Sequence, residues 1–166
     1  MSGKAISTPS TSFKFLTTAQ ILRLHSLYIR PATLPTQPIL LESAAEAPLN
    51  TLSYGPPSQH TLFYLAANVA EKIMLNHAYQ DGNKRTALLT AGAFLRLNGY
   101  KMIPRKDGLE IEGRGMIKLE DAIVGVVVKR FNVEMLMKYF EGISRKIGDC
   151  HSVCHRGPRG DSQRSV

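Results

Sequence analysis

Apolar positions along the chain recur mostly at helical spacing. Thr17 or Thr18 can cap a first helix whose stripe is Ile21, Leu22, Leu24, Leu27 and Tyr28, and Pro31 ends it soon after. Residues Arg30–Pro38 hold three prolines and read as a loop. A short helix is expected over Ile39–Ala47, stopped by Pro48, and then a second loop over Leu49–Pro57. Ser58 is the expected cap of a long helix reaching about Tyr79. In it Leu62, Leu65, Val69, Ile73 and Leu75 lie near one face, while Phe63, Tyr64, Ala66, Ala67, Ala70 and Met74 extend the apolar surface almost all round. Such a segment belongs at the centre of a core.

Gln80-Asp81-Gly82 breaks this helix, and a new one starts at Asn83. It carries Ala87, Leu88, Ala91, Phe94, Leu95 and Leu97 and ends at Asn98-Gly99, a favourable C-terminal pair. Tyr100–Gly115 alternates in Tyr100–Ile103 and Leu109–Glu112 around Lys106-Asp107-Gly108, which predicts a small exposed hairpin or irregular loop. Two last helices, about Leu119–Lys129 and Asn132–Lys146, complete an all-α bundle.

The chain of 166 residues, 43% hydrophobic and 20% charged, suits one soluble globular domain with a core of its own. Its ends, residues 1–12 and 147–166, hold too little apolar surface to offset their ordering entropy. They are expected to be disordered, which leaves 13–146 as the folded unit. No apolar stretch approaches a membrane span, and Met1–Ser12 lacks the apolar region of a secretory signal. The expected setting is the cytoplasm or nucleus, with no membrane partner. Cys150 and Cys154, beside His151 and His155, fit neither a disulfide framework nor a four-ligand zinc site. The net charge, 21 − 13 = +8, suits any polyanion and selects none. A nucleic-acid partner would rest on that charge alone, because no recognition helix or aromatic stacking pattern accompanies it.

Chemistry concentrates in Asn76–Ala87, NHAYQDGNKRTA. One core helix ends near His77, a five-residue turn follows, and the next helix opens with Asn83, Lys84 and Arg85. The first-turn N–H groups of a helix lack intrahelical partners, and the dipole makes that end positive. Lysine and arginine there are electrostatically disfavoured unless an anion is to sit on the same spot. Gly82 lets the turn reach positive φ and lets backbone approach a ligand. Asp81 could cap the helix or hold Mg²⁺ on phosphate oxygens. His77 can move a proton at neutral pH. Each residue alone has a plain structural reading: a C-cap, an N-cap, a solvated basic face. The whole set within nine residues, at the junction of two core helices, points to phosphoryl or nucleotidyl transfer.

The run His77-Ala78-Tyr79-Gln80-Asp81-Gly82-Asn83-Lys84-Arg85-Thr86-Ala87 resembles the signature of the Fic/Doc (Fido) superfamily, written HPFx(D/E)GNGRxxR in Fic enzymes. Its NKRTA form, followed by Phe94-Leu95-Arg96-Leu97-Asn98-Gly99-Tyr100, is similar to the Doc (death-on-curing) branch. Leu16-Thr17 to His25 and Leu40-Leu41-Glu42-Ser43-Ala44 resemble two further Doc segments in the expected order. The resemblance covers most of Phe13–Phe140. It implies an all-α, Fido-type helical bundle with a small flap or hairpin, and transfer of part of a nucleoside triphosphate to a protein hydroxyl. By position, His77 would be the general base acting on a target Ser, Thr or Tyr, and Asp81 would hold Mg²⁺. Gly82, Asn83, Lys84 and Arg85 would form the phosphate nest for ATP or another NTP. Tyr79 replaces the family Phe and brings a hydroxyl that wants a partner; Ala78 replaces Pro.

Lys84 stands where Fic adenylyltransferases have Gly, and Leu88 where they have a second Arg. Both resemble Doc, whose members bind the nucleotide reversed and act as protein kinases. The expectation is therefore phosphoryl transfer. The alternatives are AMP transfer (adenylylation) at the same site and a non-catalytic nucleotide- or protein-binding module. The inhibitory pattern (S/T)xxxE(G/N) of many Fic proteins is missing. Its nearest match, Met137–Gly142, begins with Met, so an inhibitory, antitoxin-like partner in trans is expected. Doc-like chains have a Gly-rich turn before the Leu-Leu-Glu-Ser helix, where this one has Pro35-Thr36-Gln37-Pro38. Leu49–Pro57 is read as the substrate-holding flap.

Overall fold

The computed structural model describes residues 12–31 and 33–148. Helix α1 (Thr18–Tyr28) opens on a capping box: Thr17 Oγ1 accepts from Gln20 N–H at 3.3 Å, and Gln20 Oε1 accepts from Thr17 N–H at 2.8 Å. Helix α2 spans Pro38–Tyr54 and α3 Leu62–Asn76, with a single 3₁₀ turn, Pro57–Gln59, between them. Helix α4 (Asn83–Leu97) follows the turn, and α5 (Leu119–Val127) and α6 (Val133–Ile143) complete the bundle. The fold is all-α with short strands, as the apolar pattern predicts.

Helix α3 is the axis. It packs on α2, α4, α5 and α6, and Tyr64 through Ala70 are all buried, as are Ile73 and Met74. An almost fully apolar helix has this place because every face must leave water. Around it Leu41 from α2, Phe94 and Leu95 from α4, Ile123 from α5 and Leu136, Tyr139 and Phe140 from α6 close the core.

Several boundaries differ from the sequence expectation. Helix α2 does not stop at Pro48 but continues to Tyr54. A proline inside a helix loses one backbone hydrogen bond and strains the preceding turn, costing about 3 kcal/mol. Here Pro48 is itself buried, on the stripe that also carries Leu41, Ala44 and Ala45, so packing keeps the helix going. Leu49–Pro57 is therefore helical as far as Tyr54 and is not a flap. Ser58 lies inside the 3₁₀ turn, and the cap of α3 is Thr61, whose hydroxyl accepts from Tyr64 N–H at 3.3 Å. That helix ends at Asn76 rather than Tyr79.

The hairpin region also rearranges. Strand β1 (Tyr100–Met102) pairs with β4 (Ser144–Lys146), not with its near neighbour; β2 (Leu109–Ile111) pairs with β3 (Gly115–Ile117). The last helix thus ends at Ile143, and the residues after it turn extended to satisfy the edge of β1. Ile147 N–H continues the pairing to Gly99 O at 2.7 Å, so this residue is tied down instead of opening a disordered tail. Cys150, Cys154 and the rest of both ends lie outside the described residues. No helix among the described residues is long and apolar enough to cross a membrane.

Candidate active site

The chain leaves α3 through His77, which takes left-handed backbone angles, φ 49 and ψ 43. This turns Ala78 and Tyr79 into the core, where both are buried. The Ala78 carbonyl is held from outside, accepting from Gln37 N–H at 3.2 Å and Thr36 Oγ1–H at 3.1 Å. The Pro35–Pro38 loop, which departs in sequence from the Doc pattern, thus braces this side of the turn. Asn83 then closes it. Its Oδ1 accepts from Tyr79 N–H at 3.0 Å and its Nδ2 donates to the Tyr79 carbonyl. One N–H and one lone pair of the Asn83 side chain are used on the turn, and its backbone N–H stands free of the helix ladder.

Gly82, φ 87 and ψ 2, is the N-cap of α4 and supplies no side-chain cap. The first intrahelical bond of α4 runs from Thr86 N–H to Gly82 O at 2.8 Å. The N–H groups of Asn83, Lys84 and Arg85 therefore precede the ladder. Asp81 does not cap the helix, as it could have done. Its Oδ1 accepts from Gly82 N–H at 2.6 Å and its Oδ2 pairs with Arg85 Nη2 at 3.1 Å. That ion pair is more than half exposed on both sides and contributes little to stability. Its effect is to hold a carboxylate and a guanidinium together at the lip.

An open cavity of about 320 Å³ lies over this junction, at the small end of the range for ligand sites. His77, Asp81, Gly82, Asn83, Lys84 and Arg85 all line it, so every predicted site residue comes to one place. Met74 of α3 and Val127 of α5 supply apolar wall. Three larger cavities, two of about 510 and 450 Å³ along α1 and α4 and one of about 450 Å³ between β3 and α5, touch neither His77 nor the turn. Leu88 lines the second of them and not the cavity over the turn. Here the chemistry of the lining, and not the size of the hollow, marks the site.

Three residues matter that the sequence did not single out. His25 of α1 is fully buried beneath the turn, its ring stacked flat on Tyr79 with centroids 3.8 Å apart. Its Nδ1 lies 2.8 Å from Oγ1 of Thr86, the second residue, also buried. Burial pushes the His25 pKa below its usual value, as does the Arg85 charge, against a smaller upward pull from Asp81. Val127 is the third, brought in by tertiary packing with no local signal. The Tyr79 hydroxyl finds no hydrogen-bond partner among the described residues, and burial pushes it up to about 12.

The donor set bears on Mg²⁺. No group of three metal-ligating side chains exists among the described residues, so a self-contained metal site is not built here. One exposed carboxylate beside a row of free N–H groups fits a hard cation that arrives already bound to phosphates.

Residues 15–95, just under half of the chain, match the model of the Fic/DOC family, and the turn lies within them. The chain is also 40% identical over 63 residues to a protein named Toxin Doc from Mycolicibacterium smegmatis, an overlap of 38% of this chain and 48% of that one. It thus spans about half the length of this relative. The left-handed exit from the central helix and the glycine opening of the helix behind it both lie within the matched segment, and over that segment the chain is similar to the Fic/DOC family and to a Doc toxin.

Proposed function

We propose that the chain is a Doc-like Fido transferase that moves the γ-phosphoryl group of ATP or another nucleoside triphosphate to a Ser, Thr or Tyr hydroxyl of a target protein. The observation that carries this is one cavity holding His77 together with the opening turn of α4. Phosphate oxygens sit on the N–H groups of Asn83, Lys84 and Arg85, where the helix dipole and the lysine charge favour them. The target oxygen attacks the γ-phosphorus as its proton passes to the His77 imidazole; the new O–P bond forms, the bond to the bridging oxygen breaks, and the nucleoside diphosphate leaves. Bound Mg²⁺, held through Asp81, would neutralise charge on the phosphates. Phosphoryl rather than AMP transfer is favoured by Lys84 in the cavity and by Leu88, an uncharged residue that lines a different cavity. As in a toxin–antitoxin pair, a second protein would restrain the activity in trans.

The test is incubation with γ-labelled or α-labelled ATP, Mg²⁺ and lysate. His77-dependent label from the γ position alone supports the kinase reading, and label from the α position replaces it with nucleotidyl transfer. ATP binding without transfer of either label leaves a binding module. Absence of both binding and label refutes the nucleotide reading altogether.

A further inference from the structure

His25 and Thr86 form a buried hydrogen-bond chain whose polarity can be worked out. Thr86 Oγ1 lies 2.9 Å from the Gly82 carbonyl, which can only accept, so the hydroxyl proton points there. With the hydroxyl so directed, Thr86 offers His25 a lone pair, and a hydrogen on His25 Nδ1 completes their 2.8 Å contact. The other ring nitrogen, Nε2, is buried without a partner among the described residues. A proton there would be a buried donor with nothing to accept it, so the ring is the neutral Nδ1–H tautomer. The ring is also the floor of the turn: a Cβ at Gly82 would lie 3.1 Å from His25 Cε1.

We infer that His25 is the positioning residue of the anion-binding turn, acting through Thr86 to fix the direction of the Gly82–Asn83 peptide. In a trans peptide the carbonyl of one residue and the N–H of the next point in opposite directions. Two donors from Thr86, its N–H at 2.8 Å and its hydroxyl at 2.9 Å, draw the Gly82 carbonyl inward. Asn83 N–H is thereby turned outward, as the first donor of the nest. His25 locks the Thr86 hydroxyl in the orientation this needs, and its stack on Tyr79 ties α1 to the strand of chain that Asn83 clips. His25 touches no phosphate; it acts by keeping the donors aimed. This rests on reading the cavity as a phosphate site.

The experiment compares His25→Phe, which keeps a ring on Tyr79 but loses the donor, with His25→Asn, which restores an N–H near the Nδ1 position, and with Thr86→Val. Calorimetric titration with Mg·ATP, and separately with pyrophosphate, should show His25→Phe and Thr86→Val each weakened about fivefold, the factor one ordinary hydrogen bond represents. The double variant should be no weaker than the worse single, and His25→Asn should bind within about twofold of the parent. Independently of any ligand, nitrogen-15 NMR of the parent should show His25 protonated at Nδ1 and bare at Nε2, and the Asn83 amide should exchange faster in His25→Phe. A parent that binds neither ATP nor pyrophosphate overturns the function proposed above, while the NMR still decides the positioning role. An Nε2–H tautomer, a folded His25→Phe that binds like the parent, or a double variant weakened by the product of the singles overturns the inference.

Discussion

Gly82→Ala separates two costs that usually come together. At φ 87 any side chain puts the residue in a left-handed conformation, at about 1–2 kcal/mol. The added Cβ would also stand 2.8 Å from Ile29 Cγ2 and 3.1 Å from His25 Cε1. Overpacking of this kind costs about 1–3 kcal/mol. Ile29 is half-buried and can rotate away, whereas His25 is pinned between Thr86 and Tyr79. We therefore expect a total near 3 kcal/mol, a fall of about 10 °C in Tm for a domain of this size. Gly99→Ala is the control, because Gly99 has nearly the same φ, 86, and nothing within 4 Å of its Cβ position. It should lose only the backbone part, about 1–2 kcal/mol. Urea titration of both, with equal m-values, measures the difference directly. If Gly82→Ala loses no more than Gly99→Ala, helix α1 does not floor the turn, and the account of how the nest is shaped is wrong.

Other substitutions probe the same junction. His77→Gly should raise stability by about 0.5–1 kcal/mol, since glycine favours the left-handed exit of α3, while abolishing label transfer; a stable variant that still transfers label would remove His77 from its role. Tyr79→Phe deletes a buried hydroxyl that has no partner and should stabilise by about 1 kcal/mol, and a loss of that size in a thermal melt would show that the hydroxyl is satisfied after all. The depressed pKa of His25 has a definite sign: below about pH 6.5 the unfolded chain binds a proton that the folded chain refuses. Stability should therefore be complete above that pH and fall as pH drops, by at most about 1.4 kcal/mol per unit, and melts of His25→Asn should lack this component. Parallel pH profiles for parent and variant would contradict it.

The Asp81–Arg85 pair helps explain why the basic first turn of α4 survives in a stable fold. Lys84 and Arg85 work against the dipole, but Asp81 at the preceding corner returns part of that cost through its pair with Arg85. The same carboxylate accepts from Gly82 N–H, so one acidic residue orders the corner and stands ready at the lip of the cavity.

Much of this was legible in local pattern. Helical periodicity located α1, α3 and α4, the Thr17-Thr18 pair marked the start of the first, Gly82 and Asn98-Gly99 bounded the last, and the motif gathered most of the cavity residues into one short segment. These are short-range effects of capping, turn chemistry and dipole, and they are written in neighbouring residues. What local pattern could not give is anything decided by partners distant along the chain. Pro48 stays helical because the core buries it, β1 finds β4 more than 40 residues away, and Asn83 proves to be a clip because Tyr79 presents both of its backbone groups to it. His25 reads as one polar position on an amphipathic helix until the fold sets Thr86 and Tyr79 against its ring. Neighbouring residues alone named the groups that could carry the chemistry. Tertiary packing decided which of them face the cavity and which hold it open, because burial and long-range hydrogen bonding assign those roles only once the helices have met.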